Sequence, residues 1–224
     1  MILTGFLGVL AGALLWMDRV FVFQFMISRP MIMGPLIGLV MHDLHAGLLV
    51  GLSLELLWLN APPVGAYLPN DESFCTAVGV PAAVLAGSWA SPSQAAGLAI
   101  LLCLPAALVG RTLDMRLRTM NEELLDVNER MSEKKISQAM VKAVLRSFIL
   151  ALVTLCACVM IADVMVIHVG KILPDAVLAS LPVVPFACVL IGLAALVSRE
   201  MPRRSHVGMF ALGLSLVLLL TWIV

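Results

Sequence analysis

Residues 24–72 read QFMISRPMIMGPLIGLVMHDLHAGLLVGLSLELLWLNAPPVGAYLPNDE. Most of this stretch is apolar enough for a bilayer. Yet it carries Arg29, Asp43, Glu55, Asp71 and Glu72, and Pro30, Pro35, Pro62, Pro63 and Pro69 break it. Ionisable side chains at membrane depth face a protein interior or a watery cavity. Broken backbone is tolerated at that depth only where it is buried or lines such a cavity. The stretch is therefore expected to build a polar-ligand site inside a membrane protein.

The rest of the chain supports the membrane setting. It is 62% hydrophobic and 12% charged, with a mean hydropathy of +1.07. A soluble domain averages about 45–50% apolar and about 25% charged residues. A transmembrane barrel would show short alternating segments, and none is visible. The expected fold class is all-α, a polytopic helical integral membrane protein with broken or re-entrant helices in its N-terminal half. The zero net charge suggests no nucleic-acid partner. Cys75, Cys103, Cys156, Cys158 and Cys188 lie in or beside apolar runs without a metal-type C-x-x-C, so they read as small buried hydrophobes. No metal site and no cofactor is expected.

Upstream, residues 1–17 are an apolar run with Gly5, Gly8 and Gly12, at the short limit for a full span. The run lacks a basic n-region, so it reads as a first membrane segment rather than a cleaved signal. In residues 20–42, Ser28-Arg29-Pro30 signals a helix start. Gly34-Pro35 is expected to interrupt that helix at once, giving short or kinked pieces around Ser28–Pro35. In residues 43–59, Asp43, Gly47, Gly51 and Glu55 recur every four residues and share one helix side. They could form a groove with acidic ends. For the glycines a helix-packing face is the preferred reading, whereas Glu55 in its apolar setting points to function. Residues 60–73 cannot be regular helix, and Asn70-Asp71-Glu72 could cap the next one. Two apolar runs, 74–90 and 94–110, suggest an antiparallel hairpin.

Residues 111–146 change character, with basic and acidic side chains interleaved around Leu113, Leu117, Met120, Leu124 and Leu125. Basic flanks mark the cytoplasmic side, so this reads as a cytoplasmic helical hairpin or a long surface helix joining two membrane regions, 1–110 and 147–224. Residues 147–168 form a span in which Asp163 and His168 read as interfacial. Pro182 and Pro185 imply a kink in the returning segment 176–197. Arg199, Arg203 and Arg204 mark the cytoplasm again, and 207–224 are a last apolar run.

A family resemblance rests on residues 18–72. Asp18-Arg19, Gln24 through Pro30, Gly34-Pro35-Leu36-Ile37-Gly38, His42-Asp43, Gly47 through Gly51, Leu54 through Leu59 and Pro69-Asn70-Asp71-Glu72 resemble the IIC subunit of the mannose–fructose–sorbose family of bacterial phosphotransferase-system sugar transporters. The close match covers about a quarter of the chain. His42 stands where family members usually have glycine, which bears on that helix end. The resemblance implies a multi-pass subunit of the bacterial cytoplasmic (inner) membrane in an oligomeric assembly. Its partners would be a IID membrane subunit and soluble IIA and IIB phosphocarriers. Sugar would bind within the membrane, cross by an elevator-like motion and be phosphorylated by phospho-IIB, with no phosphohistidine or other catalytic residue on this chain.

Sugar hydroxyls are recognised by carboxylates, amides and guanidinium groups in fixed geometry. The candidate substrate-binding residues are Gln24, Arg29, Asp43, Glu55, Asn70 and Asp71. Trp58 could stack on a sugar face, though an interfacial anchor is the preferred reading. Two other classes remain open: a regulatory or scaffolding subunit that works through 111–146, and an intramembrane enzyme built on Ser53. The second lacks a completed G-x-S-x-G elbow.

Overall fold

A computed structural model describes residues 2–59, 68–87, 90–124, 132–200 and 208; the expected last run over 207–224 lies almost wholly outside them, as do Arg203, Arg204 and most of the 60–73 loop. Among the described residues all regular structure is helical. The order is α1 (Ile2–Met17), α2 (Pro30–Val40), α3 (Leu44–Trp58), α4 (Glu72–Ala86), α5 (Pro92–Cys103), α6 (Ala106–Glu122), α7 (Glu133–Ile172), α8 (Asp175–Ser180) and α9 (Val183–Glu200).

The centre of the fold is the hairpin of α2 and α3. Pro30 sits at the first helical position, where a missing N–H costs nothing. The interruption expected at Gly34-Pro35 does not occur, and α2 continues through Pro35 to Val40. The reason lies across the interface. Gly34 and Gly38 face Gly47 and Gly51 so closely that a Cβ on Gly34 would stand 2.6 Å from the Gly47 carbonyl oxygen. This backbone-to-backbone contact supports a continuous α2 while one carbonyl goes without its proline-blocked partner. The glycines of α3 thus form a packing face and not an open groove.

The turn between these helices is tightly specified. The Asp43 amide donates to Gly38 O (2.8 Å) and the His42 amide to Leu39 O (3.1 Å). That double bond pattern closes a helix with a left-handed residue, usually glycine, after its end. His42 occupies the position with φ 62°. Asp43 then caps α3, its side chain accepting from the Ala46 amide at 2.9 Å. At eleven residues α2 is only about 16 Å long, half the thickness of a hydrocarbon core.

α4 is buried along most of its length and packs on α1, α2, α3, α5, α6 and α7. With α5 it makes the expected hairpin. Ser91 and Gln94 form a reciprocal cap at the start of α5. α5 and α6 are bent by 47° at the break between them, and together they are long and apolar enough to cross a membrane. α7 alone also is, at 40 residues or about 60 Å. The charged segment is divided between the end of α6 and the start of α7, so a boundary at 146 falls inside a continuous helix. The two helices meet where Arg146 donates to Met120 O (2.6 Å) and Asn121 to Ser147 Oγ (3.3 Å). The kink expected at Pro182 is present as the break between α8 and α9. Close approach recurs at Gly97, which lies against the backbone of Leu181.

Candidate functional site

The end of α1, the start of α2, the end of α3 and the start of α4 converge. They enclose a cavity of about 560 Å³, lined by polar Asp18, Arg19, Gln24, Ser28, Arg29, Glu72 and Ser73, with Trp58, Met26, Leu59 and Pro69 as its apolar walls.

Two arginines dominate its electrostatics, and each has a carboxylate behind it. Arg19 Nη1 pairs with Asp71 Oδ1. Arg29 Nη1 lies 3.5 Å from Glu55 Oε1. Glu72 stands between the two, 4.0 Å from Arg19 Nη2 and 3.9 Å from Arg29 Nη1. Asp71 is fully buried; it also accepts from the Trp16 indole N–H (2.8 Å) and, as N-cap of α4, from the Phe74 amide (2.9 Å). Glu55 accepts from the Met31 amide at the start of α2 (3.4 Å), where the helix dipole favours a carboxylate. Buried charges are tolerated when paired and hydrogen-bonded in this way.

The wall between α1 and α2 is an irregular loop. Phe23, Gln24 and Met26 have φ of 57°, 58° and 64°, a left-handed conformation unfavourable for residues with a Cβ. Asp18 holds this path. Its buried carboxylate accepts from the amides of Phe25 (2.8 Å), Ile27 (2.7 Å) and Ser28 (3.3 Å).

The residues anticipated from the sequence separate into three groups. Gln24 and Arg29 line the cavity; Gln24 is exposed and its amide donates to Val20 O (3.0 Å). Glu55 and Asp71 reach lining arginines from behind, and half-buried Asn70 lies between lining Pro69 and Asp71. Asp43 is not brought to the site: it caps α3 at the opposite end of the hairpin, twelve residues or about 18 Å of helix from Glu55. Ser53 is buried and donates to Leu49 O (2.6 Å) within α3.

The candidate list missed Trp16, Asp18, Arg19 and Glu72. Asp18-Arg19 read as a helix end and as part of the family resemblance; the partners of Arg19 lie 52 and 53 residues away, and those of Asp18 are main-chain amides that no side-chain pattern marks. Glu72 was legible as a cap residue, and its position between two arginines is a tertiary fact. Trp58, expected as an interfacial anchor, is part of the cavity wall.

Comparison with known proteins gives the family. The family model described as PTS system sorbose-specific IIC component matches residues 1–224. The chain is 40% identical over 72 residues to the putative N-acetylgalactosamine permease IIC component 2 of Escherichia coli K12, covering 32% of this chain and 53% of that protein. It is 30% identical over 96 residues to the mannose-specific EIIC component of the same organism, covering 43% and 34%. The matches thus span about half or less of those relatives' own length. Two solved structures share the fold. One, described as a membrane protein, has a TM-score of 0.67 at 18% identity and covers 100% of this chain and 96% of its own. The other, the mannose transporter ManYZ with microcin E492, has a TM-score of 0.61 at 20% identity, covering 96% and 86%. With the family model matched from end to end, the chain belongs to the sorbose-specific IIC component family of phosphotransferase-system sugar transporters, a helical membrane-protein family.

Proposed function

We propose that the cavity between α1, α2, α3 and α4 binds a hexose or amino sugar and delivers it to the cytoplasm for phosphorylation by a IIB subunit. The observation that carries this is the paired-arginine lining. Arg19 and Arg29 offer fixed hydrogen-bond donors, Glu72 and Gln24 offer acceptors, and Trp58 offers a ring at the edge of the same cavity. Sugars present such alternating hydroxyls and one apolar face, and charge-assisted hydrogen bonds are the strong ones. The names of the curated relatives point to N-acetylgalactosamine and mannose as first substrates to try.

The cavity also lies toward the basic end of the bundle. α1 meets α7 around Met140–Phe148 beside the loop that walls the cavity. That end carries the charged 111–146 segment, cytoplasmic by the positive-inside rule. A sugar held there is within reach of a soluble phosphocarrier. The subunit would work as a multi-pass protein of the bacterial inner membrane, in an oligomer with a IID subunit and with IIA and IIB supplying phosphate. Phosphoryl transfer would occur on those partners.

The test is reconstitution with IID, IIA and IIB in proteoliposomes and a panel of radiolabelled hexoses and amino sugars. The expected outcome is accumulation of one phosphorylated sugar, reduced at least ten-fold by Arg29→Gln. Absence of any phosphorylated sugar would overturn the reading in favour of a scaffolding subunit.

A further inference from the structure

We propose that Trp16 and Asp71 are positioning residues for Arg19, setting sugar affinity without touching sugar. This deepens the proposed function and rests on it. Asp71 was a candidate ligand by sequence, but it is fully buried and its oxygens are already engaged. Oδ2 accepts from the Trp16 indole at 2.8 Å, and Oδ1 takes the Phe74 amide (2.9 Å) and Arg19. Its own amide donates to Ala107 O in α6 (3.0 Å). Gly110 lets α6 press this close, since a Cβ there would lie 2.7 Å from Asp71 Cβ. Three parts of the chain thus engage the carboxylate, α1, the α1–α2 loop and α4, while α6 holds the residue's backbone.

Trp16 is equally hidden, at 1% exposure, with its ring packed on Phe74 and Phe21 at centroid distances of 6.1 and 5.8 Å. Only Arg19 of these three residues lines the cavity. A carboxylate with both oxygens tied presents a defined edge to the guanidinium. That preorganises the donors Arg19 retains for a ligand, and preorganisation lowers the ordering cost of binding. The Trp16 N–H is therefore two residues removed from the sugar, acting on Asp71 and through it on Arg19.

The test uses the purified complex with its IID partner and equilibrium binding of radiolabelled mannose and N-acetylgalactosamine, with thermal unfolding measured in parallel. Arg19→Gln is expected to weaken binding at least ten-fold, and Asp71→Asn to match it. Trp16→Phe, which keeps a ring but removes the N–H, is expected to weaken binding about five-fold, the effect of one hydrogen bond. The double variant Trp16→Phe/Arg19→Gln is expected to bind no more weakly than Arg19→Gln alone. Additive losses in that double variant, or unchanged affinity in Trp16→Phe, overturn the inference and leave the cavity assignment standing. Should Trp16→Phe fail to fold, Asp71→Asn decides by the same comparison with Arg19→Gln. Unchanged binding in Arg19→Gln removes Arg19 from the site and the inference with it. A wild-type complex that binds neither sugar overturns the proposed function and the inference together.

Discussion

The α2–α3 hairpin and α7 are both apolar helical structure, yet they are built in opposite ways. α7 runs 40 residues without a break and buries a single stripe: Ser147, Ala151, Leu155, Val159, Ala162, Val166 and Gly170. Most of its other large apolar side chains are exposed, Met160 at 67% and Val153 at 61%. The hairpin divides 26 helical residues into two short helices whose backbones touch through four glycines. The stripe is a surface for packing on α1, α4 and α5. The hairpin brings a helix start and a helix end to one place, and those ends carry Arg29 and Glu55. A continuous span has no such ends to offer at that depth. The difference teaches that the polar cavity is a product of chain interruption, with glycine contacts keeping the interrupted pieces rigid.

The comparison can be broken or sharpened by substitution. The largest effect is expected at the glycine contact. Gly34→Leu places side-chain atoms where the Gly47 and Gly51 backbones lie, and should cost about 3 kcal/mol or more. Loss of the monodisperse folded protein in detergent is the readout, and near-normal thermal stability would refute the rigid-contact account. Glu55→Ala should come next. It frees Arg29 from its backing carboxylate, so sugar affinity should fall at least ten-fold while assembly with IID persists. Asp43→Ala, by contrast, should cost about 1 kcal/mol of stability through the lost cap and leave sugar affinity unchanged. A loss of affinity at normal stability would return Asp43 to the site. His42→Gly should raise stability by about 0.5–1 kcal/mol, because glycine adopts φ 62° without a steric penalty. Calorimetric unfolding checks its sign. On α7, Met160→Ala should change stability by under about 0.5 kcal/mol, as befits an exposed face.

Legibility in the sequence followed the same division. Helix type and the hydropathy of the spans were readable because periodicity and length are local. Pro30 was readable as a helix start for the same reason. The interruption expected at Pro35 does not occur because the packing that supports α2 comes from Gly47 and Gly51, 12 and 16 residues away. Asp43 was placed on the correct side of α3, but that side ends in a turn, and the turn claimed the carboxylate as a cap. The site was half legible. Arg29 and Gln24 reach the cavity as anticipated, whereas Arg19 and Trp16 gain their meaning only from Asp71, over 50 residues downstream. Residue-level chemistry identified which groups were costly in a membrane. It could not say which costly groups would meet.

The Asp18 loop has a consequence for how such a cavity could diversify. Asp18 binds main-chain amides of residues 25, 27 and 28 and none of their side chains. The course of the wall is therefore written in one carboxylate, while its surface chemistry is written separately in Gln24 and Met26. Exchanging either lining residue for another unbranched one leaves the amide contacts intact, so the wall can be recoloured without being rebuilt. On the proposed function, such a wall can be retuned toward a different sugar one side chain at a time while the Asp18 contacts keep its course.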